Sequence, residues 1–161
     1  MFLKRGMLVL AMVGSATNAA WPCSCIGGQD VKDARKVADA VFIGTVIGAQ
    51  ELELKSKDGL EYFPVHVMRY TLRVERSFKG RMVADEVVVY TGLGGGDCGF
   101  RFTLNERFIV YGDRDAAMAE GSMADKPLYG RGIYWTNICT RTRLYDDDEV
   151  RELEVAALKP G

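Results

Sequence analysis

The chain has 161 residues, with 21 Lys+Arg against 22 Asp+Glu and 48% hydrophobic residues. That is enough for one domain with a real core. A net charge of -1 removes the electrostatic case for a nucleic-acid or anionic-membrane partner.

The first residues read as an export signal. Lys4 and Arg5 form a basic n-region, Met7 to Val13 a short apolar h-region, and Ser15 to Ala20 the small-residue stretch before cleavage. Thr17 and Ala19 fit the recognition positions, which places the cut after Ala19, with Ala20 as the alternative. Residues 1–19 are therefore expected to be removed and 20–161 to form the domain. Ala20-Trp21-Pro22 lacks the pattern of a lipoprotein site, and no later apolar run reaches membrane-spanning length. The expected destination is the periplasm or the exterior, as a monomer that does not associate with the membrane once the signal is cleaved.

Export changes how the cysteines read. Cys23, Cys25, Cys98 and Cys139 are even in number and lie in the mature chain, so two disulfides are expected. A Cys23–Cys25 bond would close a very small, strained ring. The two remaining pairings both staple the N-terminal segment to Cys98 and Cys139. Each closes a long loop and contributes roughly 4 kcal/mol on chain-entropy grounds.

Asp30 to Ala40 predicts a short helix, with Val31, Ala34, Val37 and Ala38 at helical spacing. Val41 to Ile47 is a β-branched apolar run that continues as a strand through Leu52 and Leu54. Lys57-Asp58-Gly59 signals a turn into a second strand from Tyr62 to Phe78. Phe63, Val65 and Val67 share one phase, whereas Met68, Tyr70, Leu72 and Val74 take the other. A β-bulge near Val67–Met68 is the expected reconciliation. Lys79-Gly80 ends the strand, and Val87 to Thr91 is a third.

Gly92 to Gly96 follows. It comes after a strand but opens no helix, so it lacks the context of a phosphate cradle and reads as a mobile connection. Phe100, Phe102 and Leu104 alternate with polar residues, Asn105 marks a turn, and Phe108 to Tyr111 is a fourth strand. Asp113 to Gly132 is a long loop whose Met118, Met123 and Leu128 favour contact with something. Ile133-Tyr134-Trp135 leads to Cys139. Asp146 to Glu149 opens a final helix with Val150, Leu153, Ala157 and Leu158 on its apolar face, ended by Lys159-Pro160-Gly161. The expected fold is mainly β: a small closed barrel of five strands with a short N-terminal helix and a C-terminal helix.

The residues offer no catalytic constellation, and no cofactor or bound metal is expected. His66 is the single histidine and is expected on a strand surface. A Cys–His nucleophile would need a free thiol, and the acidic run at Asp146 lacks a calcium-loop pattern.

The ordered motifs resemble a family. Cys23-Ser24-Cys25 is followed by Ala38-Asp39-Ala40-Val41-Phe42-Ile43-Gly44-Thr45-Val46, then Phe78-Lys79-Gly80, Cys98-Gly99-Phe100-Arg101-Phe102, Glu106 to Tyr111, and Cys139-Thr140-Arg141-Thr142. This series resembles the netrin-like domains, and in particular bacterial relatives of the tissue inhibitors of metalloproteinases. The resemblance implies an OB-fold barrel with Cys23 bonded to Cys98 and Cys25 to Cys139. It also implies a protein partner, with zinc metalloproteases the class those inhibitors bind.

In such inhibitors the first cysteine's free amine and carbonyl chelate the protease zinc, and the residue between the cysteines enters the specificity pocket. A catalytic zinc keeps a coordination position open for such a ligand. Ser24 would face the pocket, with Gly96 and Asp97 alongside. Either signal cut leaves Trp21-Pro22 ahead of Cys23, so chelation by this chain requires further trimming. The alternative expectation is a protein-interaction or structural module of the cell envelope with no protease target.

Overall fold

A computed structural model describes residues 23, 25, 29–54, 65–80, 84–94, 96–114 and 132–158. The export signal, Ser24, the turn at Lys57-Asp58-Gly59 and the apolar residues of the 113–132 loop lie outside the described residues.

Helix α1 spans Val31–Val37 and is capped by Asp30, whose Oδ1 accepts from the Asp33 N–H at 2.7 Å. Strands β1 (Ala40–Leu54), β2 (Val65–Lys79), β3 (Glu86–Gly92), β4 (Arg107–Gly112), β5 (Ile133–Trp135) and β6 (Arg143–Leu144) follow. Helix α2, Asp147–Leu158, closes the order. Asp146 stands just outside α2 as its cap, accepting from the Asp148 and Glu149 N–H groups. Among the described residues, neither helix is long and apolar enough to cross a membrane.

The fold is mainly β, with a helix near each end. The strands form one mixed sheet in the order β5-β3-β2-β1-β4-β6, antiparallel except for the β3–β5 pair. A further antiparallel bridge joins Asp113, just past β4, to Trp135 of β5 through reciprocal backbone hydrogen bonds of 2.9 and 2.8 Å. The sheet has six strands where five were expected, and its ladder runs open from β5 to β6 instead of closing into the expected barrel. The sixth is the two-residue β6, which pairs with Phe108 and Ile109 of β4.

The continuous apolar run of β1 follows from burial on both faces. Ala40, Phe42 and Val46 point into one core with Leu72, Val89, Val110, Phe102, Phe108 and Tyr134. Val41 and Ile43 point the other way, to Ile109, Tyr111, Val31 and Ala34 of α1, and Val150 and Leu153 of α2. In the first core the rings of Phe100, Phe102 and Phe108 meet edge-on, with centroids 4.8 to 6.0 Å apart. The aromatic alternation before Asn105 thus fills the core without forming a strand.

The expected bulge at Val67–Met68 is absent. Both residues pair in uninterrupted register, with Leu52 and Glu51 of β1 and with Gly92 and Thr91 of β3. The change of phase has another cause: β2 is covered on both faces there. Val67 joins a cluster with Tyr90, Leu52, Val88, Ile133 and Trp135, while Met68, Tyr70 and Leu72 face the main core. The register shifts lie further along the hairpin. Glu75 and Phe78 of β2 and Ile47 of β1 have no partner in that ladder, and there the pairing advances by a residue. His66 lies exposed on β2, with its Nδ1 3.3 Å from Glu51 Oε1.

Candidate binding site

Two loops carry the disulfide partners, and the fold sets them side by side. The first runs from the end of β3 to Phe100; the second follows β5, from Thr136 to Thr142. The Ile138 N–H donates to the Cys98 carbonyl at 2.9 Å, and the Thr136 N–H to the Tyr90 carbonyl at 3.0 Å. Cys23 is bonded to Cys98 and Cys25 to Cys139, with Cα–Cα separations of 5.6 and 5.2 Å. Cys23 and Cys25 are therefore each fastened to one of two adjacent loops. This is the pairing implied by the family resemblance; the residues alone left it open.

The first loop is built around a carboxylate. Asp97 accepts from the N–H groups of Leu93 at 2.6 Å, Gly94 at 2.8 Å and Gly99 at 3.1 Å. Thr91 Oγ1 accepts from the Phe100 N–H at 2.8 Å and closes the far side. Gly94 (φ 88) and Cys98 (φ 59) take the left-handed region that this tight return requires. Around the glycines, Leu93, Gly94 and Gly99 are thus gathered into a turn hydrogen-bonded to Asp97. Gly96 and Asp97 are exposed beside the arm, and Cys23 Sγ lies 3.9 Å from the Gly96 carbonyl oxygen. That approach is a contact and not a hydrogen bond, because a disulfide sulfur has no proton to donate.

Partial desolvation pushes the Asp97 carboxyl up. The N–H groups of Gly99, Leu93 and Gly94 outweigh this and hold it below its ordinary value of 3.8. A lowered folded-state value means the carboxylate stabilises the loop fully above the ordinary value. The contribution is lost as pH falls through the lower, folded value. Asp97→Ala is expected to cost about 1 kcal/mol and to raise amide exchange at Leu93, Gly94 and Gly99. Asp97→Asn, which keeps an acceptor oxygen, is expected to protect those amides better than alanine does.

The second loop is fastened by side chains. Asn137 Oδ1 accepts from the N–H groups of Cys139 at 2.8 Å and Thr140 at 3.1 Å. The hydroxyls of Thr136, Thr140 and Thr142 lie within 2.7 to 3.1 Å of one another, and those of Thr136 and Thr142 donate to the Tyr111 carbonyl.

Arg141 then ties this loop to α2 and to Gln29, the residue before the α1 cap. Its Nε and Nη2 donate to the two oxygens of Glu149, each at 2.6 Å, and its Nη1 donates to the Gln29 carbonyl at 2.6 Å. The Tyr111 hydroxyl donates to Glu149 Oε1 at 2.6 Å. Burial, and then this bond to Glu149, push the Tyr111 phenol up, so it stays a protonated donor. The Glu149 hydrogen bond holds the Arg141 guanidinium above its ordinary value.

A pocket of about 230 Å³ opens beside the Cys25–Cys139 bond, between α1 (Ala34, Val37) and the second loop (Asn137, Cys139, Arg141). Among the described residues no group of three or more His, Cys, Asp or Glu is placed to hold a metal ion.

Of the residues singled out in the sequence, the structure brings together Cys23, Cys25, Gly96, Asp97, Cys98 and Cys139; Ser24 lies outside the described residues. Sequence reasoning missed Asn137, Arg141 and Glu149. Arg141 stood only as one letter of the Cys139-Thr140-Arg141-Thr142 motif, and Glu149 leaves the trace that it precedes the core residue Leu153 by four and so shares its helix face. No family model matches the chain, and a comparison with curated proteins finds no match.

Proposed function

We propose that the protein is an exported binding module of the netrin-like type, presenting its Cys23-Ser24-Cys25 arm to a protein partner. The observation that carries this is the pair of disulfides fixing both cysteines of that arm to two hydrogen-bonded loops at one end of the sheet. A segment anchored at both ends loses little conformational freedom on binding, so its contacts convert efficiently into affinity. Exposed Gly96 and Asp97 extend the same edge. An OB-type barrel is supported by the parallel β3–β5 pair and by the Asp113–Trp135 bridge. In such a barrel β5 would close against β4, and the Asp113–Trp135 bridge lies where that seam would run.

The partner class we favour is a zinc metalloprotease. A chain beginning at Cys23 would offer its amine and carbonyl to the open position of the protease's metal. Intact-mass measurement of the exported protein, followed by titration of a zinc endopeptidase panel, tests this. The expected result is a chain starting at Cys23 that inhibits stoichiometrically, and that stops inhibiting when Trp21-Pro22 is restored ahead of it.

The Trp21-Pro22 overhang left by either signal cut favours a second reading, an envelope interaction module without protease inhibition. An exported chain that retains Trp21 and leaves every zinc endopeptidase active would establish that reading over the first.

A further inference from the structure

The two disulfides differ in surroundings. Cys25 and Cys139 are both exposed, whereas Cys23 and Cys98 are half-buried, and Cys139 also borders the pocket of about 230 Å³. Thiol–disulfide exchange needs access for the attacking thiolate, and exposed disulfides are the labile, regulatory ones. The loop around Cys139 is also held by hydrogen bonds that do not involve the disulfide. Asn137 Oδ1 holds the Cys139 and Thr140 N–H groups, the threonine hydroxyls bind one another and the Tyr111 carbonyl, and Ile138 N–H binds the Cys98 carbonyl. Gln29, four residues past Cys25, stays tied to Arg141. Neither Cys25 nor Cys139 belongs to the clusters of buried core residues.

From this we infer that Cys25–Cys139 is a reducible switch on the arm, opened by a dithiol while Cys23–Cys98 and the sheet persist. A thiolate of the dithiol attacks one sulfur of the bond. A mixed disulfide forms, and the other cysteine leaves as a thiolate that takes up a proton. The second thiol of the dithiol then displaces the remaining protein sulfur. The protein gains two thiols and the dithiol becomes a disulfide, so electrons and protons balance. The reductant is a vicinal dithiol, either a small molecule or a Cys-x-x-Cys protein. Opening removes one of the arm's two anchors and weakens its presentation to a partner. That consequence rests on the binding reading above; the selective opening does not.

The test is timed reduction of the oxidised, signal-cleaved protein with dithiothreitol under native conditions. Acid quenching, alkylation and peptide mass mapping then read each cysteine. Cys25 and Cys139 are expected to be alkylated at least about ten-fold faster than Cys23 and Cys98, with an unchanged far-ultraviolet dichroism spectrum. Equal rates, earlier opening of Cys23–Cys98, or loss of the β spectrum along with the first thiols would overturn the proposal. The double variant Cys25→Ser/Cys139→Ser is expected to keep the parental spectrum and a bonded Cys23–Cys98; failure to fold would likewise overturn it. None of these readouts involves a partner, so a negative result is distinguishable from a failure of the binding reading.

Discussion

Glu149→Ala is expected to destabilise the fold by about 3–5 kcal/mol, seen as a fall of roughly 10 °C or more in Tm. The Glu149 carboxylate is 2% exposed, and it accepts from the Tyr111 hydroxyl, from Arg141 through both its oxygens, and from Arg143 at 3.3 Å. Alanine would leave a half-buried guanidinium and a buried phenol without their acceptor. The cost comes from stranding these groups rather than from the ion pair's own net attraction. Two companion variants separate these terms. Glu149→Gln keeps an acceptor for the phenol and loses the charge, so its loss should be smaller. Arg141→Met combined with Glu149→Leu removes both ions and should recover much of the stability lost in Glu149→Ala.

Thermal melts decide the matter: a Glu149→Ala midpoint within about 2 °C of the parent would show that the cluster is dispensable. The same cluster shapes the alkaline limb. Burial and the Glu149 bond raise the Tyr111 phenol, so its contribution to stability is complete below the ordinary value of 10.0 and declines as pH rises beyond it. The effect reaches the start of α1, because the guanidinium that Glu149 orients also holds the carbonyl of Gln29, the residue before the Asp30 cap.

How visible each of these features was in the sequence depended on its physics. Val41-Phe42-Ile43 announces itself because both faces of β1 are covered, so burial leaves an unbroken apolar run. Strand β6 leaves no mark, since Arg143 and Leu144 are both exposed and two residues make no alternation. At Val67–Met68 a phase change suggested an extra residue, yet the residues lacking partners in that ladder, Glu75, Phe78 and Ile47, carry no pattern of their own. Cover on the second face of β2 comes from β5 residues Ile133 and Trp135, distant in sequence, and no local window contains them.

The candidate site divides in the same way. The cysteines declare a staple through their even count and the export signal expected ahead of them. Asp97 as the centre of a turn becomes visible only once the chain doubles back on Gly92. Glu149 was concealed among Asp146, Asp147 and Asp148, which sit at the helix start for the usual capping and dipole reasons.

Gly99→Ala is expected to be the most damaging single-atom addition in the first loop, costing about 3 kcal/mol, at the upper end of overpacking effects. A Cβ at Gly99 would collide with the Gly92 carbonyl carbon and oxygen and lie 2.5 Å from the Gly94 nitrogen. All of these are backbone atoms, so no side chain can rotate away and the loop itself must open. Opening separates Leu93 and Gly94 from the Asp97 carboxylate and shifts Cys98 away from Ile138, disturbing the bonded base of the arm. Gly96→Ala is the matched control: its Cβ meets nothing within 4 Å, and its φ is not among the positive ones. It should be neutral or slightly stabilising, by up to about 1 kcal/mol through the unfolded chain. Denaturant midpoints for the two variants, with amide exchange at Leu93 and Gly94, measure the difference. Equal midpoints would mean the return of the chain past Gly92 is not the close approach that holds the arm in place.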